Sequence, residues 1–156
     1  MLGVLSCGAD NRCLGALGAA QVDSDGNLNS TRLADGRVLV GSGGACDIAA
    51  AAAEVVVLTR LVPGRLVARL DYRTSPGHAV RSIVTDRGTL VREPEGWRVA
   101  SLASHDAGAD RAALARDCAW PLTFADDVPL AEPLSAREAE RLATLDADGR
   151  LRGRAE

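Results

Sequence analysis

The chain contains no lysine: its 18 basic residues are all arginine, set against 21 acidic residues for a net charge of −3. With a pI of about 5.4, it lacks the basic excess that a nucleic-acid binder carries on one face. The arginine bias reads as the mark of a GC-rich genome. Aromatic residues are only 3% of the chain, so aliphatic and alanine side chains must build the core. The 4 cysteines (Cys7, Cys13, Cys46, Cys118) match no zinc-ligand spacing, and the 2 histidines (His78, His105) stand alone. No metal site is expected, and the thiols are expected to be reduced in a cytoplasmic protein. No apolar run free of charge is long enough to span a bilayer. Residues 1–9 lack the basic and long apolar regions of a secretory leader. The expectation is a cytoplasmic protein with neither membrane nor nucleic acid as partner.

What is present suits one α/β domain over residues 1–156. Hydrophobic content of 47% and charged content of 25% are ordinary for a soluble globular chain. Residues 1–6 read as the last turn of a helix and 7–10 as its end. Leu14–Val22 reads as a buried strand, Leu28–Leu33 as a short one, and Val38–Val40 as a strand. Asp47–Ala53 favours helix, and Val55-Val56-Val57 favours a fully buried strand. Leu66–Leu70 is a further strand candidate. Ile83–Thr85, Thr89–Arg92 and Trp97–Leu102 form a meander around Asp86-Arg87-Gly88 and Pro94-Glu95-Gly96. A helix over 110–116, a strand over 122–125 and a helix over 136–145 follow. The last opens on Ser135 and Glu138 in the spacing of a capping box. Strands alternating with helices give a mostly parallel open sheet with flanking helices.

The densest local signal is Arg37-Val38-Leu39-Val40-Gly41-Ser42-Gly43-Gly44-Ala45-Cys46-Asp47-Ile48. An apolar segment enters a glycine cluster, and an alanine-rich helix leaves it. Glycine removes the Cβ that would hold a ligand off the backbone. A tight turn is the structural alternative. The segment is expected to cradle a phosphate-bearing or acyl ligand.

Several motifs in one order carry a resemblance. Leu17-Gly18-Ala19-Ala20-Gln21-Val22-Asp23 is followed by Gly26-Asn27-Leu28-Asn29-Ser30-Thr31 and by Gly41-Ser42-Gly43-Gly44-Ala45-Cys46-Asp47-Ile48-Ala49. Then come Leu70-Asp71-Tyr72-Arg73-Thr74-Ser75-Pro76-Gly77, Val84-Thr85-Asp86-Arg87-Gly88 and Ala125-Asp126-Asp127-Val128-Pro129. Over nearly its whole length the chain resembles the β subunit of family I CoA-transferases, of the glutaconate CoA-transferase or 3-oxoacid CoA-transferase type. The resemblance implies the CoA-transferase (NagB/RpiA-like) α/β fold, completed with an α subunit. It also implies acyl-CoA and a carboxylic acid as substrates, with coenzyme A entering as substrate and no cofactor bound permanently. The implied mechanism is nucleophilic catalysis in two half-reactions, through a glutamyl-CoA thioester. Carried onto this chain, it makes Gly43 and Gly44 the oxyanion and CoA contacts, with Gly41 and Ala45 in support. It makes Gln21, Asn27 and Asn29 substrate-site candidates that touch substrate or shape the floor of the site.

One departure limits the carry-over. The nucleophilic glutamate of such enzymes lies upstream of the Gln-Val-Asp segment, and this chain has no glutamate before Glu54. No residue here is therefore assigned as catalytic. The chain reads as the C-terminal part of the family domain, its upstream part truncated, carried by a separate polypeptide, or lost in a repurposed relative. A non-catalytic assembly or CoA-binding subunit, or a hydrolase or decarboxylase relative, is the alternative function. Asp47 is expected to be a first-turn carboxylate, Cys46 a buried small residue, and Asp71, Tyr72, Arg73 and His78 structural residues around a Pro-Gly loop.

Overall fold

The computed structural model describes residues 13–103, 106–147 and 149. The expectations for residues 1–10 and for His105 lie outside them. The strands are β1 (Leu14–Gly18), β2 (Gln21–Val22), β3 (Leu28–Asn29), β4 (Glu54–Leu58), β5 (Val80–Val84), β6 (Gly88–Glu93), β7 (Gly96–Leu102) and β8 (Leu122–Phe124). The helices are α1 (Ala45–Ala51), α2 (Ala107–Asp117) and α3 (Ala136–Leu145).

Six strands form one sheet in the order β1-β4-β5-β6-β7-β8, and β2 pairs with β3 in a two-stranded ribbon. β1, β4 and β5 are parallel, β7 and β8 are parallel, and β6 alone runs against its neighbours. The mostly parallel open α/β sheet read from the sequence is the sheet found. Its register lines up one apolar row across every strand, Leu17–Val57–Ile83–Leu90–Val99–Phe124. Val57, Ile83 and Leu90 in that row are fully buried, each contributing about 1.5–3 kcal/mol by its removal from water. The β-branched run of β4 suits this position, since a central strand presents side chains on a crowded pleated surface.

α1 lies against β1 at Gly15, where an added Cβ would stand 2.7 Å from the Ile48 side chain. α2 sends Leu114, fully buried, over Gly88 of β6. Both crossover helices cover the face that carries the apolar row. On the opposite face Leu14 and Leu58 are exposed. α3 begins with the expected capping box, Ser135 accepting from the Glu138 N–H while the Glu138 carboxylate accepts from the Ser135 N–H. It contributes no buried residue.

Four expectations need correction. Val38–Val40 is not a strand of the sheet. Residues 31–39 close on themselves instead, with Leu33 N–H to Arg37 O at 3.0 Å and Leu39 N–H to Thr31 O at 2.7 Å. The β propensity is spent on a local hairpin, and Val38, Leu39 and Val40 stay 67%, 39% and 58% exposed. Leu14–Val22 breaks after Gly18, because Gln21 and Val22 leave the sheet to pair with Asn29 and Leu28. Of Leu66–Leu70 only Leu66 bridges, to Val22 on one side and Cys118 on the other. Finally, Cys13 is disulfide-bonded, so the expectation of reduced thiols fails there; Cys46 and Cys118 are free.

Candidate functional site

α1 runs back towards the start of β1, where the N–H of Ala53 donates to Cys13 O at 3.1 Å. Its other end, with Gly41–Gly44, therefore lies at the carboxyl ends of β1 and β4. In open α/β sheets that edge is where ligands bind. The glycine loop is exposed there, and a Cβ added to Gly41, Gly43 or Gly44 would meet nothing within 4 Å. Close packing within the chain is not what requires these glycines. Only Gly43 has the positive φ, 50°, that favours glycine for its own sake. The N–H groups of Gly43 and Gly44 have no acceptor among the described residues. That of Ala45 donates to Ser42 O at 3.1 Å, and Ala45 packs against the core. Cys46 is half-buried rather than buried, its thiol 3.7 Å from Gly43 O.

Gln21 and Asn29 are brought together, facing each other across the β2–β3 ribbon. Asn29 is fully buried. Its Nδ2 donates to Gln21 Oε1 at 2.8 Å and to Arg32 O at 2.7 Å, and its Oδ1 accepts from the N–H groups of Thr31 and Arg32. Gln21 Oε1 also accepts from the Asp71 N–H, and Gln21 Nε2 donates to Asp71 Oδ2 at 2.8 Å. Asp71 Oδ2 in turn accepts from the Ala34 N–H at 3.0 Å. The two amides thus fasten the hairpin to the sheet edge. Asn27 stands apart from them, its Nδ2 on Asp23 and its Oδ1 on the Gly77 N–H. Asp71 takes the structural role expected of it, and His78 lines a separate depression with Arg81, Arg92, Glu93 and Pro94.

The hairpin forms one wall of a cleft of about 380 Å³. Gln21 forms part of its floor, Leu33, Arg37 and Leu39 one side, and Val62, Pro63 and Arg65 the other. Leu39 lies two residues before Gly41, so the cleft opens beside the glycine loop. Sequence reading missed Arg65 and Val62, which belong to no motif, and gave Arg37 no role beyond opening the glycine segment; the three meet only when the segment after β4 folds back on the hairpin.

No protein-family model matches the chain. Among curated proteins, the β subunit of the 3-oxoadipate CoA-transferase of Pseudomonas knackmussii is 31% identical over 154 residues, covering 86% of this chain and 58% of that one. Among solved structures, glutaconate coenzyme A-transferase from Acidaminococcus fermentans superposes with a TM-score of 0.78 at 22% identity, over 93% of this chain and 63% of that one. The decarboxylase AibA/AibB superposes with a TM-score of 0.78 at 20% identity, over 94% and 61%. The chain spans about three fifths of the length of each of these proteins, with 58%, 63% and 61% covered. At these identities the two structural likenesses establish a shared fold.

Proposed function

We propose that this chain, a relative of the β subunits of family I CoA-transferases, serves as the loop-bearing part of such a β subunit and moves CoA between carboxylic acids. The exposed pair of unclaimed N–H groups at Gly43 and Gly44 is the observation that carries the reading. Two donors side by side on an open loop suit the oxygen of a thioester as it becomes tetrahedral, where each such donor is worth about 2.7–4 kcal/mol. Gly41 leaves room for the pantetheine arm, and Ala45 fixes the loop to the core. Gln21 and Asn29 shape the floor rather than touching substrate, and Asn27 fastens the turn at Asp23 to Gly77, since all three amides bond within the protein.

The nucleophile is a glutamate outside residues 1–156. It attacks the thioester carbonyl and expels CoA thiolate. The thiolate returns to the acyl–glutamyl anhydride, releasing the first acid and leaving a glutamyl-CoA thioester for the second. An α subunit completes the acyl pocket, and the cytoplasm is the proposed compartment.

The test is exchange of labelled carboxylate into acyl-CoA by the chain reconstituted with its α partner and upstream segment. Borohydride added after acyl-CoA should reduce a glutamyl-CoA adduct. Complex formation without exchange or adduct would sink the reading. It would favour a scaffold kept for assembly or for another acyl-CoA reaction.

A further inference from the structure

The cleft beside the glycine loop is lined by cationic side chains in a chain whose net charge is −3. Its lining holds two arginines, Arg37 and Arg65, and no carboxylate. Apart from Gln21 the other side chains are aliphatic, chiefly Leu33, Leu39, Val62 and Pro63. A cationic end and apolar walls together suit a small molecule with an anionic head and a hydrocarbon stem.

Each arginine has donors to spare. A guanidinium carries five N–H donors and accepts nothing. The ion pair of Arg37 with Asp35 is 3.9 Å long, outside hydrogen-bond range, between side chains 66% and 63% exposed. Such a pair is held weakly and yields to a better acceptor. Arg65 is fixed from behind, its Nη1 donating to Ala19 O at 3.0 Å and to Ala20 O at 3.2 Å. Its Nε is buried and has no hydrogen-bond partner among the described residues. A buried donor left without an acceptor is uncommon enough to require a reason. One arginine is anchored and the other is carried on a hairpin with its head in solvent. The floor between them is Gln21, held by Asp71 and Asn29.

We infer that this cleft binds the carboxylate of a small aliphatic acid, with Arg37 closing on it from the hairpin and Arg65 receiving it from the sheet edge. The planar fork of a guanidinium matches a carboxylate in two parallel hydrogen bonds. A volume of about 380 Å³ sits at the small end of ligand clefts, fitting an acid of a few carbons better than a nucleotide. Leu39 lines the cleft and leads into Gly41, so an acid seated with its head on the arginines can direct its far end to the loop. The inference rests on the proposed function for the acid's role as acyl donor or acceptor. The binding itself requires no CoA.

The experiment is an amide chemical-shift titration of the 156-residue chain with glutarate, alongside glutaramide as its uncharged isostere. Glutarate is expected to shift the amides of Gln21, Leu39 and Gly64, and to bind at least about tenfold more tightly than glutaramide. Arg37→Gln should remove that preference, while Arg81→Gln, in the separate depression, should leave it within about twofold. Arg37 is exposed, so its variant keeps the fold, which the unshifted remainder of the spectrum verifies. Equal binding of acid and amide, or an Arg37→Gln variant with undiminished preference, overturns the inference. So does binding of adenosine 3′,5′-bisphosphate at Arg37 without binding of glutarate, since the anion would then be a nucleotide phosphate. Loss of carboxylate exchange with glutarate binding intact would instead sink only the CoA-transfer reading.

Discussion

The N–H of Gly77 donates to Asn27 Oδ1 at 3.0 Å, and a Cβ on Gly77 would overlap the backbone of Gly26 and Asn27. The turn over residues 23–27 is held rigidly in that position. Trp97 Nε1 donates to Ser24 O at 2.7 Å, and Arg92 Nη1 to Asp25 O at 2.9 Å. Backbone that is fastened this way cannot retreat from a methyl group. Gly77→Ala should therefore destabilise the fold by at least about 2–3 kcal/mol, read as a lower urea midpoint. A shift under about 0.5 kcal/mol would show that the turn yields.

Asn29 offers a second stability test, one that separates floor from contact. Asn29→Ala removes the acceptor of the Thr31 and Arg32 N–H groups and the donor to Gln21 Oε1, and it leaves a space where a fully buried side chain stood. The expected loss is about 3 kcal/mol, measured by denaturant unfolding without any ligand. An unchanged midpoint combined with weaker substrate binding would make Asn29 a contact residue after all.

At the glycine loop, stability and function should part. Gly44 has φ −83° and open space around it, so Gly44→Ala should change stability by less than about 0.5 kcal/mol. Gly43 has φ +50°, and alanine there should cost about 1–2 kcal/mol. In the reconstituted complex both substitutions should depress carboxylate exchange about tenfold or more. Full exchange by Gly44→Ala would remove the loop from the chemistry.

Burial pushes the Cys118 thiol up from 9.0 to about 11, against a smaller lowering by the backbone at Trp120. The folded state holds this proton more tightly than the unfolded chain. Stability linked to it is complete below about pH 9 and is lost as the pH climbs towards 11. The absence of lysine removes the commonest side chain that titrates in that window. Cys118→Ala should flatten the fall in urea midpoint over this range. An unchanged slope would assign the fall to another group.

The elements legible in the sequence are those decided by neighbours along the chain. Three consecutive valines specify β4. Two turn sequences specify the β5–β6–β7 meander, and Ser135 with Glu138 specifies the start of α3. The hairpin over 31–39 is not legible in this way, because Val38–Val40 has strand propensity and propensity does not say which strand is the partner. The site is half legible. The motifs pick out Gly43, Gly44, Gln21 and Asn29, but the role of the amides is set by Asp71, 50 residues beyond Gln21. Arg65 acquires its place only when its segment crosses the end of β1.

That crossing hangs on Leu66, 1% exposed and bridged to both Val22 and Cys118. The bonds that make these bridges reach far along the chain in both directions: Val22 N–H donates to Arg65 O and Val67 N–H to Val22 O, while Ala119 N–H donates to Leu66 O. The consequence is one of timing. Contacts between distant residues wait for the chain to close large loops, whereas the meander joins near neighbours and can form first. Leu66→Ala, expected to cost about 2–5 kcal/mol, should act chiefly by speeding unfolding, leaving the folding arm of the chevron little changed. A matching slowdown in folding would place Leu66 in the nucleus instead. On the expected order of events, the wall of the cleft is the last part of the molecule to be set in place and the first to be given up.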